Sequence, residues 1–458
     1  MNLLRRIVDV RAVETRALLM AAFFNFLVLG SYYVLKPIRD DIGAGNGVEK
    51  LSWMFTGTMV TMIFANALFS GTVARMSRRR FIPLGYRFFI LNLAVFYFLM
   101  RLRSPAQMFW VGVSFFVWVS VFNLFVVTLF WTFMTDVFNT DQGKRLFGFI
   151  SVGGTVGGVL GATITGSLVR ALGAGNLLIV SALMLEGAAW CVKFFPADFR
   201  HPERSEARSR DPGVLTSKIP PRAAATVARD SNAERPIGGG IISGISHVFR
   251  SPYLLGICGF MLLYAITTTI VYFQQADLTQ HQFHDRAART AFFAHLDTSV
   301  NILTALVQIF LTGRLLKWVG VGPTLAFLPV LSALGFVAMG ISPTLALLAV
   351  IQVIRRSGNF AVTRPAREVL FTVLRREDKY KAKSFIDTFI YRTGDQLGAW
   401  TYALLNWLGW SLKEISIAAA PLALIWGVLS VWLGQKQIAL AHAREVAAAM
   451  QREGAATT

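Results

Sequence analysis

Twelve apolar runs of membrane-spanning length dominate this sequence and leave little room for any other architecture. They lie at about residues 17–37, 51–73, 81–100, 108–135, 146–169 and 175–195, then at 251–275, 295–318, 322–342, 344–372, 384–409 and 415–434. A helix crossing the hydrocarbon core needs about 20 such residues, and lipid leaves backbone polar groups no partner outside the segment itself. The chain is 54% hydrophobic and only 15% charged, which excludes an ordinary soluble domain and any disordered class. The expected fold is therefore an all-α integral membrane protein, with twelve transmembrane helices as two six-helix bundles. The expected division is a first bundle over 1–196, a polar linker over 197–250, a second bundle over 251–435 and a tail over 436–458.

The net charge of +20 would suggest nucleic acid in a soluble chain. Here most Lys and Arg fall in alternate loops, in the 197–250 linker and in the tails, so the excess reads as positive-inside topology. That places both termini in the cytoplasm and the protein in the inner membrane, with no nucleic acid as partner. Arg11, Glu14 and Arg16 interrupt what would be the apolar core of a cleavable signal after Arg5 and Arg6, so the first span is retained. Cys191 and Cys258 both sit in apolar stretches and give neither a metal knuckle nor a disulfide framework. The sequence has no phosphate-binding loop, no metal spacing among its six histidines and no nucleophile elbow. Catalytic residues, metal sites and cofactors are expected to be none. The run Gly153-Gly154-Thr155-Val156-Gly157-Gly158 follows no strand, so it reads as a helix-packing surface in the fifth span.

Charges inside a bilayer are costly, which makes each a candidate for function. In the tenth span Arg356, Asn359, Thr363 and Arg367 fall on one stripe at 100° per residue, with Arg355 and Arg364 off it on opposite sides. Guanidinium groups offer a fixed fork of donors suited to carboxylate or phosphate, so Arg356, Asn359 and Arg367 are candidate substrate contacts. The alternative is pairing with an acid of another helix. The eleventh span holds Asp387, Tyr391, Arg392 and Asp395, where the i,i+3 pair Arg392–Asp395 is either self-neutralised packing or a charge switch. Gly394 and Gly398 allow close helix contact at that depth. The first span ends with Tyr32, Tyr33, Lys36 and Arg39, either aromatic and cationic ligand contacts or an interfacial belt. Glu186 interrupts the sixth span and is a candidate proton site or a partner for Arg355 or Arg87. Asp297, Asn301, Gln308, Gln274 and Gln275 are plausible pore-lining positions with no chemistry of their own.

The two halves look duplicated. Gly71 after the second span recurs as Gly313 after the eighth, at a shift of 242, and Phe149, Ile150, Gly154 and Gly158 recur as Phe389, Ile390, Gly394 and Gly398, at a shift of 240. The segment Gly71, Arg75 and Arg78 to Arg80 resembles the loop between helices 2 and 3 of the major facilitator superfamily, with Ala74 in place of the family's acid. That resemblance implies two bundles rocking about a central site, with Gly71, Arg75 and Arg79 in a conformational loop. A second resemblance is to the ATP/ADP translocase family of plastids and intracellular bacteria. Tyr33, Leu35, Lys36, Arg39 and Asp40 match its first-helix run with the two basic types exchanged. Arg367, Glu368, Phe371, Leu374, Glu377, Lys379, Lys381, Lys383, Ile386 and Asp387 follow its pattern around helices 10 and 11, and Lys144-Arg145 its entry to helix 5. The resemblance implies Lys36, Arg39 and Lys383 as phosphate contacts. Asp395, after Gly394, stands where many members carry a lysine.

These readings combine into a secondary transporter of an organic anion, with nucleotide exchange of the ATP/ADP type by alternating access as the leading expectation. Tyr32, Tyr33, Lys36, Arg39, Arg356, Asn359, Arg367 and Lys383 would contact substrate. Glu186, Glu368, Asp387, Arg392 and Asp395 would form coupling or gating ion pairs. The expected partners are a small anionic substrate and the bilayer, and the expected state is a monomer. One alternative is a proton-coupled carrier or exporter titrating at Glu186 or Asp395. Another is a non-transporting scaffold that binds anionic lipid or a partner through its basic surface.

Overall fold

A computed structural model describes residues 14–73, 78–101, 104–138, 140–196, 251–311, 315, 318–374, 383 and 385–456. The 197–250 linker, Arg75, Lys379 and Lys381 lie outside the described residues, as do the side chains of Arg79 and Lys144. Gly71 is the third residue from the end of the second helix.

The described secondary structure is helical throughout. The first half comprises α1 (Thr15–Gly45), α2 (Val48–Val73), α3 (Arg78–Leu99), α4 (Pro105–Val137) and α5 (Thr140–Phe194). Gly173 breaks α5 with φ 77° and ψ 155°, a left-handed turn that glycine adopts without strain, so α5 supplies two passes. The second half comprises α6 (Pro252–Gln282), α7 (Arg286–Phe310), α8 (Val321–Ile341), α9 (Leu345–Gly358), α10 (Arg364–Leu370), α11 (Tyr391–Trp407) and α12 (Leu412–Ala456). A π-helical turn, Asn359–Thr363, joins α9 to α10, and a second one, Ile386–Ile390, leads into α11. Among the described residues nine helical runs are long and apolar enough to cross a membrane, α9 to α10 counting as one run and the two-pass α5 as another. The second pass of α5, with α2 and the 17-residue α11, completes the expected twelve. The last helix runs unbroken from the twelfth span through Ala456, so residues 436–456 are helical.

The surface is apolar, as a bilayer demands, and the polar groups are gathered inside between apolar bundle cores. Phe64, Trp318 and Val428 are more than 70% exposed, while Asn25, Gln274, Gln275, Asp297, Gln352 and Arg355 are buried. Aromatic edges fill the first bundle, with Phe24 against Tyr86 and Phe130 at centroid separations of 5.8 and 5.0 Å. A separate cluster of Tyr253, Phe260, Leu325 and Trp426 fills the second.

Glycine allows a close helix pair at corresponding places in the two halves. In the first half a Cβ on Gly153, Gly157 or Gly161 would run into the backbone carbonyls of Ala22, Phe26 and Gly30 on α1. In the second half a Cβ on Gly394 or Gly398 would stand 2.9 Å from the carbonyl oxygens of Leu262 and Ile266 on α6. The first helix of each half is thus clasped by the fifth, the arrangement expected of a duplicated unit. The face in α5 is displaced by one residue from Gly154 and Gly158, which meet the side chains of Asn25 and Tyr33 instead.

The halves touch toward one end of the bundle. Ser52 donates to the Ala399 carbonyl at 3.2 Å, Thr56 donates to Gln396 at 2.9 Å, and the Trp53 and Trp400 rings meet edge-on at 4.9 Å. Further out, Asp41 at the end of α1 accepts from Arg289 Nε at 2.7 Å and Arg286 Nε at 2.9 Å at the start of α7.

Candidate functional site

Between the halves lies a cavity of about 250 Å³, lined from α1 by Lys36, Arg39 and Asp40, from α6 by Tyr264, Thr268, Thr269, Tyr272 and Gln275, from α9 and its π turn by Gln352, Arg355, Arg356, Asn359 and Phe360, and from α11 by Tyr391, Arg392 and Asp395. Phe55 of α2 completes the wall. Five cations and five tyrosine or phenylalanine rings therefore face one space, an environment for an anion with an apolar or aromatic body.

Its centre is a charge bridge between the halves. Lys36 Nζ donates to Asp40 Oδ2 at 2.7 Å and to both oxygens of Asp297 at 2.8 and 2.9 Å. Arg356 Nη2 donates to Asp297 Oδ1 at 2.5 Å. One fully buried carboxylate on α7 thus holds a cation from each half. Arg39 is fixed by Asp40 at 3.1 Å, by Ser120 Oγ at 3.0 Å and by the Phe116 ring 3.9 Å beneath its guanidinium. Tyr272 donates to Asp40 Oδ1 at 3.0 Å, tying α6 to the same group.

Arg355 is different. It is 2% exposed and donates only to hydroxyls, Ser332 at 3.1 Å and Thr268 at 2.6 Å. Among the described residues no carboxylate pairs with it. The 100° stripe puts Arg355 off the face of Arg356, yet both of these adjacent α9 residues line the cavity. The opposite correction applies to Arg367. The π turn at Asn359–Thr363 inserts an extra residue into the helical winding and rotates everything beyond it. Arg367 does not line the cavity. It points to Asp387, with 3.7 Å between charged atoms, and to the Met261 sulfur at 2.8 Å.

The remaining candidates separate cleanly. Arg356, Asn359, Lys36, Arg39, Arg392 and Asp395 line the cavity, and Arg392 bonds Asp395 at 3.1 Å while Thr269 donates to it at 3.2 Å. Lys383 pairs with Glu368 outside it. Tyr32 and Tyr33 meet edge-on at 5.2 Å and do not line the cavity; Tyr33 lies under Gly158 of α5. Of the rings that line it on the second half, Tyr391 is noted above in the eleventh span, whereas Tyr264, Tyr272 and Phe360 carry no expectation from the sequence. The signal available for α6 was the threonine run 267–269 flanked by tyrosines in an otherwise apolar span. Glu186 lies on the outer surface, where it accepts from Arg87 at 3.2 Å and from Trp190 Nε1 at 2.9 Å. Asp297, expected only as a polar lining residue, is the hub. Among the described residues no group of three or more His, Cys, Asp or Glu is placed to hold a metal.

Two bundles that enclose a charged, buried cavity and are bridged across it by Lys36–Asp297 and Tyr272–Asp40 have the architecture of a multi-pass membrane carrier. The sequence pattern of the Major Facilitator Superfamily matches residues 18–366, and the chain belongs to that superfamily. No curated protein sequence matches it. Solved structures similar to it include a POT family transporter in complex with 5-aminolevulinic acid, at 9% identity and TM-score 0.60 over 92% of this chain and 96% of that one. The peptide transporter POT in complex with sulfate aligns at 12% identity and TM-score 0.59, over 93% and 95%. The xylose transporter XylE from E. coli in its inward-open conformation aligns at 12% and 0.58, over 92% and 94%. At these identities the likeness is one of fold.

Proposed function

We propose that this transporter exchanges organic anions by alternating access, binding them in the cavity between the two halves. The observation that carries the reading is Arg355, a guanidinium buried in a spanning helix, open to the cavity and without a carboxylate among the described residues. A buried cation without a counter-ion is costly, and a bound anion removes that cost. Arg356, Lys36 and Arg39 would share the ligand, with Asn359 as a neutral donor. Within the class of organic anions, a nucleotide is the substrate implied by the first-helix run and by the Arg367 to Asp387 pattern, and the tyrosines of α6 and α11 offer faces for a base. With both termini in the cytoplasm, the closed end at Asp41 would be the outer one and the cavity would open inward. An empty carrier would rock slowly while Arg355 is unpaired, which favours exchange over net flux.

Uptake of labelled ATP into liposomes holding the purified protein, loaded with ADP, with phosphate or with buffer alone, tests this. Uptake that requires an internal anion supports exchange, and its loss in Arg355→Ala supports the site. A second reading, proton-coupled transport, draws on Asp395, a buried carboxylate in the cavity wall. It requires uptake driven by a pH gradient with buffer alone inside.

A further inference from the structure

The charges around the cavity do not cancel, and their sum describes the ligand. Five cations line it: Lys36, Arg39, Arg355, Arg356 and Arg392. Three carboxylates balance them, Asp40 and Asp395 in the wall and Asp297 bonded directly to Lys36 and Arg356. Among the described residues two positive charges are left over. The nearby charges toward α10 do not alter this count, because Arg367 is matched by Asp387 and Lys383 by Glu368. At the outer end Asp41 is held by two arginines of α7, outside the cavity lining.

We infer that the site selects ligands carrying two negative charges, and that Asp297 sets this number by occupying one anion position permanently. The inference rests on the anion-transport reading and narrows it. Asp297 presents its oxygens to Lys36 and Arg356 as a ligand carboxylate or phosphate would, with bonds of 2.5 to 2.9 Å. A dianion brings the cavity to neutrality. A trianion leaves a net negative charge in a water-poor space, and a monoanion leaves a cation unpaired. Dicarboxylates, phosphate monoesters and the magnesium complex of ATP all carry this charge near neutral pH. Free ATP and free ADP carry more. The selected property is therefore charge together with a body that fits between the tyrosines.

The test is competition in reconstituted liposomes at neutral pH. Exchange of labelled AMP is challenged with succinate, citrate, glucose 6-phosphate, lactate, and ATP with and without excess magnesium. The wild type should favour dianions over both the monoanion and the trianion, by at least about tenfold for bodies of similar size, since one unbalanced charge at contact range in a partly buried site is worth that much or more. Asp297→Asn raises the cavity charge by one and should move the preference toward citrate and magnesium-free ATP. Arg355→Gln lowers it by one and should move the preference toward lactate, read in this variant with labelled lactate as the exchanged anion because dianion exchange falls away. Because each readout is a ratio of substrates on the same preparation, loss of folded protein lowers both arms and leaves the ratio intact. Asp297→Glu keeps the charge and should keep the wild-type order. Preference for trianions in the wild type, or ratios unmoved in both charge variants, overturns the charge rule while leaving anion transport standing. Failure of every anion to compete or exchange overturns the transport reading itself.

Discussion

At the residue scale, the site divides, among the described residues, into cations bonded to a carboxylate and one, Arg355, bonded only to hydroxyls. Arg355→Lys keeps the charge but removes the planar fork and the double hydroxyl anchorage at Ser332 and Thr268. It should leave dianion exchange with apparent affinity weakened by about tenfold to a hundredfold, where Arg355→Ala leaves no dianion exchange. Measuring concentration dependence of exchange for both variants separates charge from geometry; equal behaviour of the two would deny Arg355 a directional role. Glu186 gives the contrasting case. Its partners Arg87 and Trp190 face outward with it, and none of the three lines the cavity. Glu186→Gln should exchange anions at the wild-type rate and show the same response to a pH gradient. A changed pH response would return Glu186 to the coupling machinery.

At the element scale, hydropathy was enough to place the spans, because a bilayer imposes the same length on every crossing helix. The glycine faces were legible too, since Gly153, Gly157 and Gly394, Gly398 repeat at four-residue spacing. Helical phase was the information that failed to transfer. A stripe at 100° per residue assumes one winding, and the π turn at Asn359–Thr363 changes it within the very span that carries the arginines. Nor could a single sequence show that Asp297, one carboxylate 261 residues from Lys36, would become the hub, since that pairing exists only once the halves meet. Deleting Ala361 should restore α-helical winding, swing Arg367 toward the cavity and draw it from Asp387. Exchange should fall to background while the protein still inserts and elutes as a single folded species. Retained exchange would mean that the π turn plays no part in placing the arginines. On the glycine face, Gly157→Leu forces a branched side chain against the Phe26 carbonyl and should destabilise the α1–α5 pair by about 1–3 kcal/mol or more, read as a lowered melting temperature in detergent.

At the scale of the whole molecule, one end is sealed by contacts of a different kind from those in the core. Ser52, Thr56, Trp53 and Trp400 make a partly apolar seam, and Asp41, fully buried, clamps Arg286 and Arg289 across the halves. A carrier that alternates must open this seam, so the seam is worth enough to hold one state and little enough to be released. Asp41→Asn removes the charge that both arginines share and leaves Arg289, itself mostly buried, facing an amide. A change of about 3 kcal/mol suffices to bring a state populated at about 1% to parity. Spin labels at Glu49 and His284, both exposed and on opposite halves near this end, report the separation directly. The unsubstituted protein should give one short distance, and Asp41→Asn should add a longer one, with a matching rise in exposure of Ser52 to water-soluble reagents when it is replaced by cysteine. Arg286→Ala, which loses only the more exposed of the two partners, should shift the distribution less than Arg289→Ala. An unchanged distance distribution in all three variants would assign closure to the Trp53–Trp400 seam and leave Asp41 a structural pair.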